Sequence, residues 1–588
     1  MSNNPAYIVS SISLNEFENH NELFISDEYI SRVNKIKGIK SPRLVRENRK
    51  DFEKDVELLN GKYNKYLKQL GEILNKENCT NFSDDFWKKS LGLGFRRFVH
   101  ISYDAFILHS KNFDPLEFDF GVLKIEEFIF SKNFEDFVSN FSHNEKGFEQ
   151  FFSIFVNTFY DVNAKNCRKI SSVNNDRQTP SKKNNNNIVK KIKSITRYKV
   201  FRIFLSFIIF RRPRIGVFHS YFSQKNKVKM ILKSLGLVKD IDFIYNKDNC
   251  TVSIDNRKNM FKNFKENDQF DIFFRNLLVY NFPTFFIEGF QSNYIFYLSQ
   301  AHSNRSLRFA VSEGWLSDTD LSFYLAILKE KYSVRHIYNE HNYFEHPYLG
   351  HRNNLICSMV DVFLTIGWAS KNKCYTSSAS LFEFRIDKYI FNNKNQITYI
   401  SAASFVKNIE INCAYGENGE NSAKYLKFIS LFFNNISNDV YEKINYRGYP
   451  DKGWIVNPKD DCIDFSKLKC IDNYQCTSKE QMLRSSLVVI DYLATSFLES
   501  LLMNVPTIIL FNQDTYFLED ENKHFYDELI KANIFQSSPE NAAYFINAIH
   551  EDIGAWWYSR ETQVLRRSFL QKNIGRPDDV ISTYLSFL

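Results

Sequence analysis

The chain predicts an α/β protein made of two doubly wound, parallel-sheet domains that face each other across a cleft, with a large helical insertion in the N-terminal half. Three observations lead there. Short apolar runs rich in β-branched residues, such as Leu487-Ile490, have the composition of strands covered on both faces. Such runs alternate with helical periodicity in two successive series, one from about 215 to 366 and one beyond Gly367. The stretch Leu487-Leu510 also reads as strand, polar turn, helix, turn and second strand, which is one β-α-β unit.

Taken in order, Tyr7-Ser10 and Leu23-Ser26 are expected as brief strands. The insertion covers about 45–165, where DFEKDVELLNGKYNKYLKQLGEIL repeats its apolar residues at three and four. A basic, Asn-rich linker follows at about 170–200. The first α/β series predicts strands at Ile215-Ser220, Asp242-Ile244, Leu307-Ser312, Val334-Tyr338 and Val362-Ile366, with a helix over Gln224-Leu235. The second predicts strands at Gln396-Ile400, Lys443-Arg447, Leu487-Ile490 and Thr507-Phe511, with a helix over Ser422-Phe433. The expected domains are therefore 1–366 and 367–588, the latter closing with C-terminal helices.

At 588 residues the chain is long enough for two or three domains, and 44% hydrophobic with 24% charged residues describes a soluble globular protein. The 58 Phe and 32 Tyr, beside many Asn and Lys, follow AT-rich codon usage and carry little functional weight. The net charge of +8 is unevenly placed. No acid occurs from Arg177 to Arg214, a window holding Lys190, Lys191, Lys193, Arg197, Lys199, Arg202, Arg211, Arg212 and Arg214 around the apolar run Val200-Phe210. That run is short of the roughly 20 residues a membrane span needs. Two readings stand: residues 190–214 lie on an anionic membrane surface, or a solvated linker leads into a buried helix. No nucleic-acid-binding signature accompanies the charge, so nucleic acid is not an expected partner. Nine scattered cysteines without CxxC read as reduced thiols, and the start of the chain lacks the pattern of a signal peptide. The expectation is a cytoplasmic protein, peripheral at the inner membrane if the basic segment binds lipid.

The chemistry-bearing residues fall at the ends of predicted strands. Asp491 ends one strand, and Thr495 and Ser496 stand where the next helix must begin. A helix start offers free N–H groups and partial positive charge, so this turn suits a phosphate; an ordinary N-cap, worth about 1 kcal/mol, is the alternative. Glu499 lies one turn on, as a partner for ribose hydroxyls or as a helix-surface carboxylate. Arg447, in NYRGYP, carries a planar fork able to hold two phosphate oxygens, unless it is a plain surface arginine. Asp491 suits a role orienting the turn. The first series supplies Glu313, Glu340 and His341 as candidates for a base or nucleophile, with Glu340 and His341 in a loop at a strand's carboxyl end. Asp318-Thr319-Asp320 resembles a metal-binding acid pair, but it precedes a helix whose N-terminus favours acids anyway. No zinc spacing, phosphate-binding loop, serine-hydrolase or metalloprotease motif is present, and no cofactor or metal is expected.

Nearly end to end, the chain resembles the sugar transferases first described from a leptospiral lipopolysaccharide O-antigen locus. The resemblance runs through YIVSSISLNEF, DDFWKKSLGLGFRRFVHISYDAF, FAVSEGW, NEHNYFEHPY and DVFLTIGW, and is strongest in ATSFLESLLMNVPTIILFN and FYDELIKANIFQSSPENAAYFINAIHEDIGAWW. Where relatives read QHGGHYG this chain has NEHNYFEHPY, so His341 is the shared position, and Glu313 falls where relatives often carry His. The strand, Ser/Thr turn, helix and Pro-strand also resemble the nucleotide-binding half of GT-B glycosyltransferases, among them CMP-Kdo users and CDP-alcohol phosphotransferases of teichoic acid synthesis. The resemblance implies a GT-B-like glycosyltransferase of O-antigen or capsule synthesis. Its donor would be a nucleotide-sugar, plausibly a CMP-linked ulosonic acid such as Kdo, and its acceptor a glycan or lipid-linked glycan. The donor would bind the second domain at Arg447, Asp491, Thr495, Ser496 and Glu499, and the acceptor the first domain. A CDP-alcohol phosphotransferase, using His341 and His346, and a non-catalytic membrane-associated assembly protein are the alternatives.

Overall fold

The computed structural model describes residues 4–17, 20, 22–25, 48–142, 144–160, 166–171, 211–220, 222, 224–248, 250–313, 318–341, 346–371, 374–378, 389–391, 396–401, 404–405, 421–449, 455–456, 463–493, 495–512, 517–575 and 579–588. Most of the basic segment, up to Phe210, lies outside the described residues.

Two six-stranded, wholly parallel sheets organise the molecule. Ahead of them, the short strands β1 (Ala6–Ile8), β2 (Leu23–Ile25), β3 (Phe120–Leu123) and β4 (Cys167–Ile170) do not join the first large sheet. β1 pairs with β2, β3 pairs with β4, and a parallel bridge from Ala6 to Asp119 joins the two pairs. Around this layer pack the helices Arg49–Glu77, Asp84–Asn112, Phe134–Ser142 and Glu145–Phe159. The predicted helical insertion is thus threaded by a strand, and its aromatic residues fill a core continuous with the helices Gln269–Asn281 and Thr319–Tyr332. Lys62 and Lys65 tie the first long helix to the fully buried Asp271. Burying that carboxylate costs little only because both lysines and the Tyr66 hydroxyl reach it.

The first large sheet comprises β5 (Ile215–Phe218), β6 (Val238–Ile241), β7 (Phe309–Glu313), β8 (Arg335–Asn339), β9 (Val362–Thr365) and β10 (Tyr375–Ser377), in the order β10-β9-β8-β7-β5-β6. Its strands β5 and β7 are buried along their whole length, as strands covered on both faces must be, and β7 carries Ser312 and Glu313 into that buried layer. Because β6 and β7 flank β5 on opposite sides, the switch point of this sheet lies between β5 and β7.

The second large sheet comprises β11 (Ile397–Ile400), β13 (Ile444–Arg447), β15 (Cys470–Ile471), β16 (Leu487–Ile490), β17 (Thr507–Leu510) and β18 (Phe535–Gln536), in the order β15-β13-β11-β16-β17-β18. Between these in sequence, β12 (Ser404–Phe405) and β14 (Ile455–Val456) form a separate antiparallel pair. The switch point here lies between β11 and β16.

The two halves meet at the carboxyl ends of their sheets. The loop that follows β8 is strapped to the loop that follows β17: Leu349 N–H donates to Phe517 O at 2.9 Å, and Glu519 N–H to Pro347 O at 2.9 Å. Tyr348 and Tyr526 share a buried 2.7 Å hydroxyl contact beside this strap. Gly367 lies between β9 and β10 of the first sheet, and its φ of 139° and close approach to Ile574 and Gly575 exclude a side chain; with β10 in that sheet the chain stays in the first domain past the expected boundary at 366. The last helix, Asp579–Ser586, belongs by sequence to the span expected in the second domain, yet Val580, Ile581 and Tyr584 pack on the first sheet against Val217, Val311 and Leu364. Among the described residues no helix is long and apolar enough to cross a membrane.

Candidate active site

At the switch point of the second sheet, the carboxyl ends of β11 and β16 present Ser401 and Asp491. Asp491 is buried, and its Oδ2 accepts from Tyr399 Oη and Tyr425 Oη, each at 2.7 Å, and from Ser401 Oγ at 3.3 Å. Burial, reinforced by Asp491, raises both tyrosines far above their ordinary range, so they remain donors. The carboxylate is a clamp on the strand ends from which the next turn departs.

That turn leads into the helix Thr495–Met503, whose apolar face packs under the sheet. Ser496 Oγ lies 2.7 Å from Tyr492 Oη, and Thr495 is half-buried. The first turn carries no acid, so the positive end of the helix is not neutralised by its own side chains. Glu499 faces Lys479 Nζ at 3.0 Å; burial raises its pKa, and Lys479 opposes the rise. Lys479 comes from the short helix Ser478–Met482, which begins with a capping box at Thr477 and Glu480.

Arg447 ends β13, one strand from the switch point. Its Nη1 is shared among Asp472, Gln481 Oε1 at 2.9 Å and Cys476 O at 3.2 Å, and its guanidinium lies over the Tyr474 ring at 5.3 Å. Nη2 and Nε make no hydrogen bond among the described residues, so one edge of the fork is held and the other is available. The structure thus gathers Arg447, Asp491, Thr495, Ser496 and Glu499 at the carboxyl end of one sheet.

The first sheet presents a different chemistry. Glu313, at the end of β7, is fully buried; burial, with Glu313 adding, raises the Tyr584 phenol well above its ordinary range. Glu340 follows β8, and its Oε2 accepts from Ile366 N–H at 3.1 Å and Trp368 Nε1–H at 2.7 Å. It therefore braces the turn between β9 and β10. His341 is next; burial, with Arg352 adding, lowers it to about 4. His346 stacks on Trp368 at 4.0 Å, and burial lowers it to about 3.

Sequence reasoning passed over His219, which directly follows β5 at the switch point of this sheet. It sits in the left-handed region, φ 51°, a conformation that costs a non-glycine residue about 1–3 kcal/mol. Tyr245 Oη lies 3.1 Å from His219 Nε2 and 2.7 Å from Asp318 Oδ2. The phenol has one hydrogen; donated to Asp318, it leaves the oxygen to accept from His219 Nε2–H, and the neutral imidazole then bears its lone pair on Nδ1. Burial lowers the His219 pKa, against the pull of Asp318 and Asp240, so the ring is neutral near pH 7. Asp318 Oδ1 caps the helix Thr319–Tyr332 through Leu321 N–H at 2.9 Å, and Asp320 accepts from Tyr297. Glu135 accepts from Thr319 N–H at 2.8 Å and is raised to about 8 by burial and then by Asp318. Among the described residues no His, Cys, Asp and Glu group has the arrangement of a metal site. The signal for His219 was present in VFHS, a polar residue directly after a buried strand, but which strand ends flank the switch point is not written in local sequence.

Two Rossmann-like domains joined at the carboxyl ends of their parallel sheets give a GT-B-like architecture. The chain belongs to the LIC12162 family of transferases, whose model matches residues 15–588. No curated protein matches it. Among solved structures it is similar to the glycosyltransferase SnogD from Streptomyces nogalater, at 11% identity and TM-score 0.33 over 64% of this chain and 100% of that one. It is also similar to Anabaena Alr3699/HepE in complex with UDP and glucose, at 9% identity and TM-score 0.32 over 64% and 100%. The wall teichoic acid polymerase TagF aligns at 10% identity and TM-score 0.28 over 64% and 87%. The assignment of architecture rests on the two sheets themselves.

Proposed function

We propose that the protein is a glycosyltransferase that moves a sugar from a nucleotide-activated donor to a glycan or lipid-linked acceptor in surface-polysaccharide synthesis. The observation that carries this reading is the helix start at Thr495 and Ser496 beside the second sheet's switch point, with the open edge of Arg447 one strand away. Backbone N–H groups, two hydroxyls and a guanidinium suit the phosphate of a leaving nucleotide. In this reading Asp491 holds the turn, and Glu499, with Lys479, meets the ribose or phosphate. The resemblance to O-antigen-locus transferases supports a CMP-linked ulosonic acid such as Kdo as the donor.

Transfer also needs a base for the acceptor hydroxyl. His219 fits best, since Tyr245 and Asp318 fix its tautomer and the ring is neutral at pH 7. In this reading His341 and the buried Glu313 belong to the acceptor side, and Glu340 braces the turn between β9 and β10. His346 is stacked on Trp368 and strongly disfavours protonation, which suits it poorly to the paired-histidine chemistry of a phosphotransferase.

The test is a thermal-shift panel of CMP, CDP, UDP, GDP and dTDP on the full chain. One nucleotide, at about 100 times its dissociation constant, should stabilise the fold by about 2.7 kcal/mol. Indifference to all five removes the nucleotide-donor reading.

A further inference from the structure

The helix Gln224–Lys233 connects β5 to the edge strand β6, and its two long faces are unlike. Inward, Met230 and Ser234 are buried against the first sheet. Outward, Val228 and Leu232, four residues apart on one stripe of the helix, are 55% and 41% exposed, and Leu235, just past the helix end at a left-handed φ of 49°, is 49% exposed. A surface helix of a water-soluble domain normally carries polar residues there.

The surroundings of that stripe are cationic. Lys229 and Lys233 stand on the neighbouring stripe of the helix, four residues apart. Arg211 Nη1 donates to Leu235 O at 3.2 Å, and Lys239 Nζ donates to Arg211 O, which brings the described end of the basic segment against the foot of the helix. Arg212 and Arg214 are exposed beside it. No acid occurs between Arg177 and Lys239. The first one after it, Asp240, is tied to Lys227 at 2.5 Å, and Asp242 follows the opposite end of β6. Branched apolar side chains thus stand proud of a surface whose fixed charge is positive.

We infer that this face, formed by Val228, Leu232 and Leu235 with Arg211, Arg212 and Lys233, docks the protein on an anionic lipid bilayer. The leucines and valine enter the boundary between headgroups and acyl chains, and the cations meet lipid phosphates. A nucleic acid would use the charge but leave the apolar stripe in water. A second copy would have to bring this same cationic patch against itself in an isologous contact. An anionic bilayer satisfies both halves of the face. The docking face is independent of the reaction assigned above, since a bilayer would bind it whatever group the cleft transfers.

The experiment is sedimentation of the full chain with vesicles of phosphatidylcholine alone and of phosphatidylcholine mixed with phosphatidylglycerol, at low and at high salt. The protein should pellet with the mixed vesicles, stay in solution with the neutral ones, and be released by salt. R211A/R212A/K233A should lower partitioning about five-fold per charge removed, and V228S/L232S should lower it at every salt concentration. All five positions lie at the surface, and unchanged melting temperatures will establish that both variants are folded. Equal binding to neutral vesicles, no binding to anionic ones, or binding that neither variant weakens overturns the inference. A concentration-dependent dimer abolished by V228S/L232S would give the face to a second copy and overturn it equally.

Discussion

The two large sheets share a parallel architecture and differ in what stands at their switch points. The second sheet ends in a carboxylate clamped by three hydroxyls and an arginine with one edge held. The first ends in a strained histidine, a half-exposed tyrosine and a set of carboxyls, among which burial raises Glu135 to about 8 and Asp320 to about 6. One end is built to keep fixed charge in place, and the other to hold groups whose protonation is easily changed. That division suits a reaction in which phosphate charge is stabilised on one side of a cleft and a proton is taken up on the other.

The sharpest way to break this contrast is His219→Ala. It should lower turnover about 10²- to 10⁴-fold while nucleotide affinity, read by calorimetry, stays the same. Near-normal turnover would leave the first sheet without its proton acceptor. Next in size, Arg447→Ala should act on the opposite side, weakening donor binding about 10- to 100-fold through loss of charge-assisted hydrogen bonds. A variant with intact donor affinity would make Arg447 only a brace for Asp472 and Gln481.

Acid should distinguish the halves by stability. Burial depresses His341 to about 4, His346 to about 3 and His351 to about 4, all in the loop that follows the first sheet's β8. Between those values and about 6.5 the unfolded chain binds more protons than the folded one, so stability rises with pH through that window and is lost as pH falls. Each such histidine should withdraw about 1.4 kcal/mol per pH unit below 6.5. Denaturant titrations from pH 7 to 5 will measure the slope, and His346→Phe, which keeps a ring on Trp368, should reduce it by one histidine's share. An unchanged slope would mean that His346 is protonated in the native state.

The smallest effect is expected at Tyr245→Phe. It removes the hydroxyl between His219 and Asp318 without touching either, and a loss of about 1 kcal/mol in transition-state stabilisation would lower turnover roughly five-fold. The acid limb of the pH–rate profile should also move, because the histidine tautomer is no longer fixed. A profile identical to the unmodified enzyme would detach Tyr245 from the proton path.

Local sequence determined the units of this protein. The run Leu487-Leu510 announced two strands and a helix start because buried strands and helix caps impose composition within a few residues, and β16, the helix Thr495–Met503 and β17 form there. The expected strand at Asp242-Ile244 formed instead at Val238–Ile241, since an edge strand is not held to an apolar run and its boundary is weakly written. Tertiary structure alone decided the rest. It separated β1 and β2 from the first large sheet, sent the last helix back across it, and brought the post-β8 and post-β17 loops together. It also joined His219 to Tyr245 and Tyr245 to Asp318, pairs 26 and 73 residues apart. Periodicity reports which face of an element is buried. Which other element covers that face depends on the burial of the whole chain, and the side chains meeting at a switch point are set by that long-range choice.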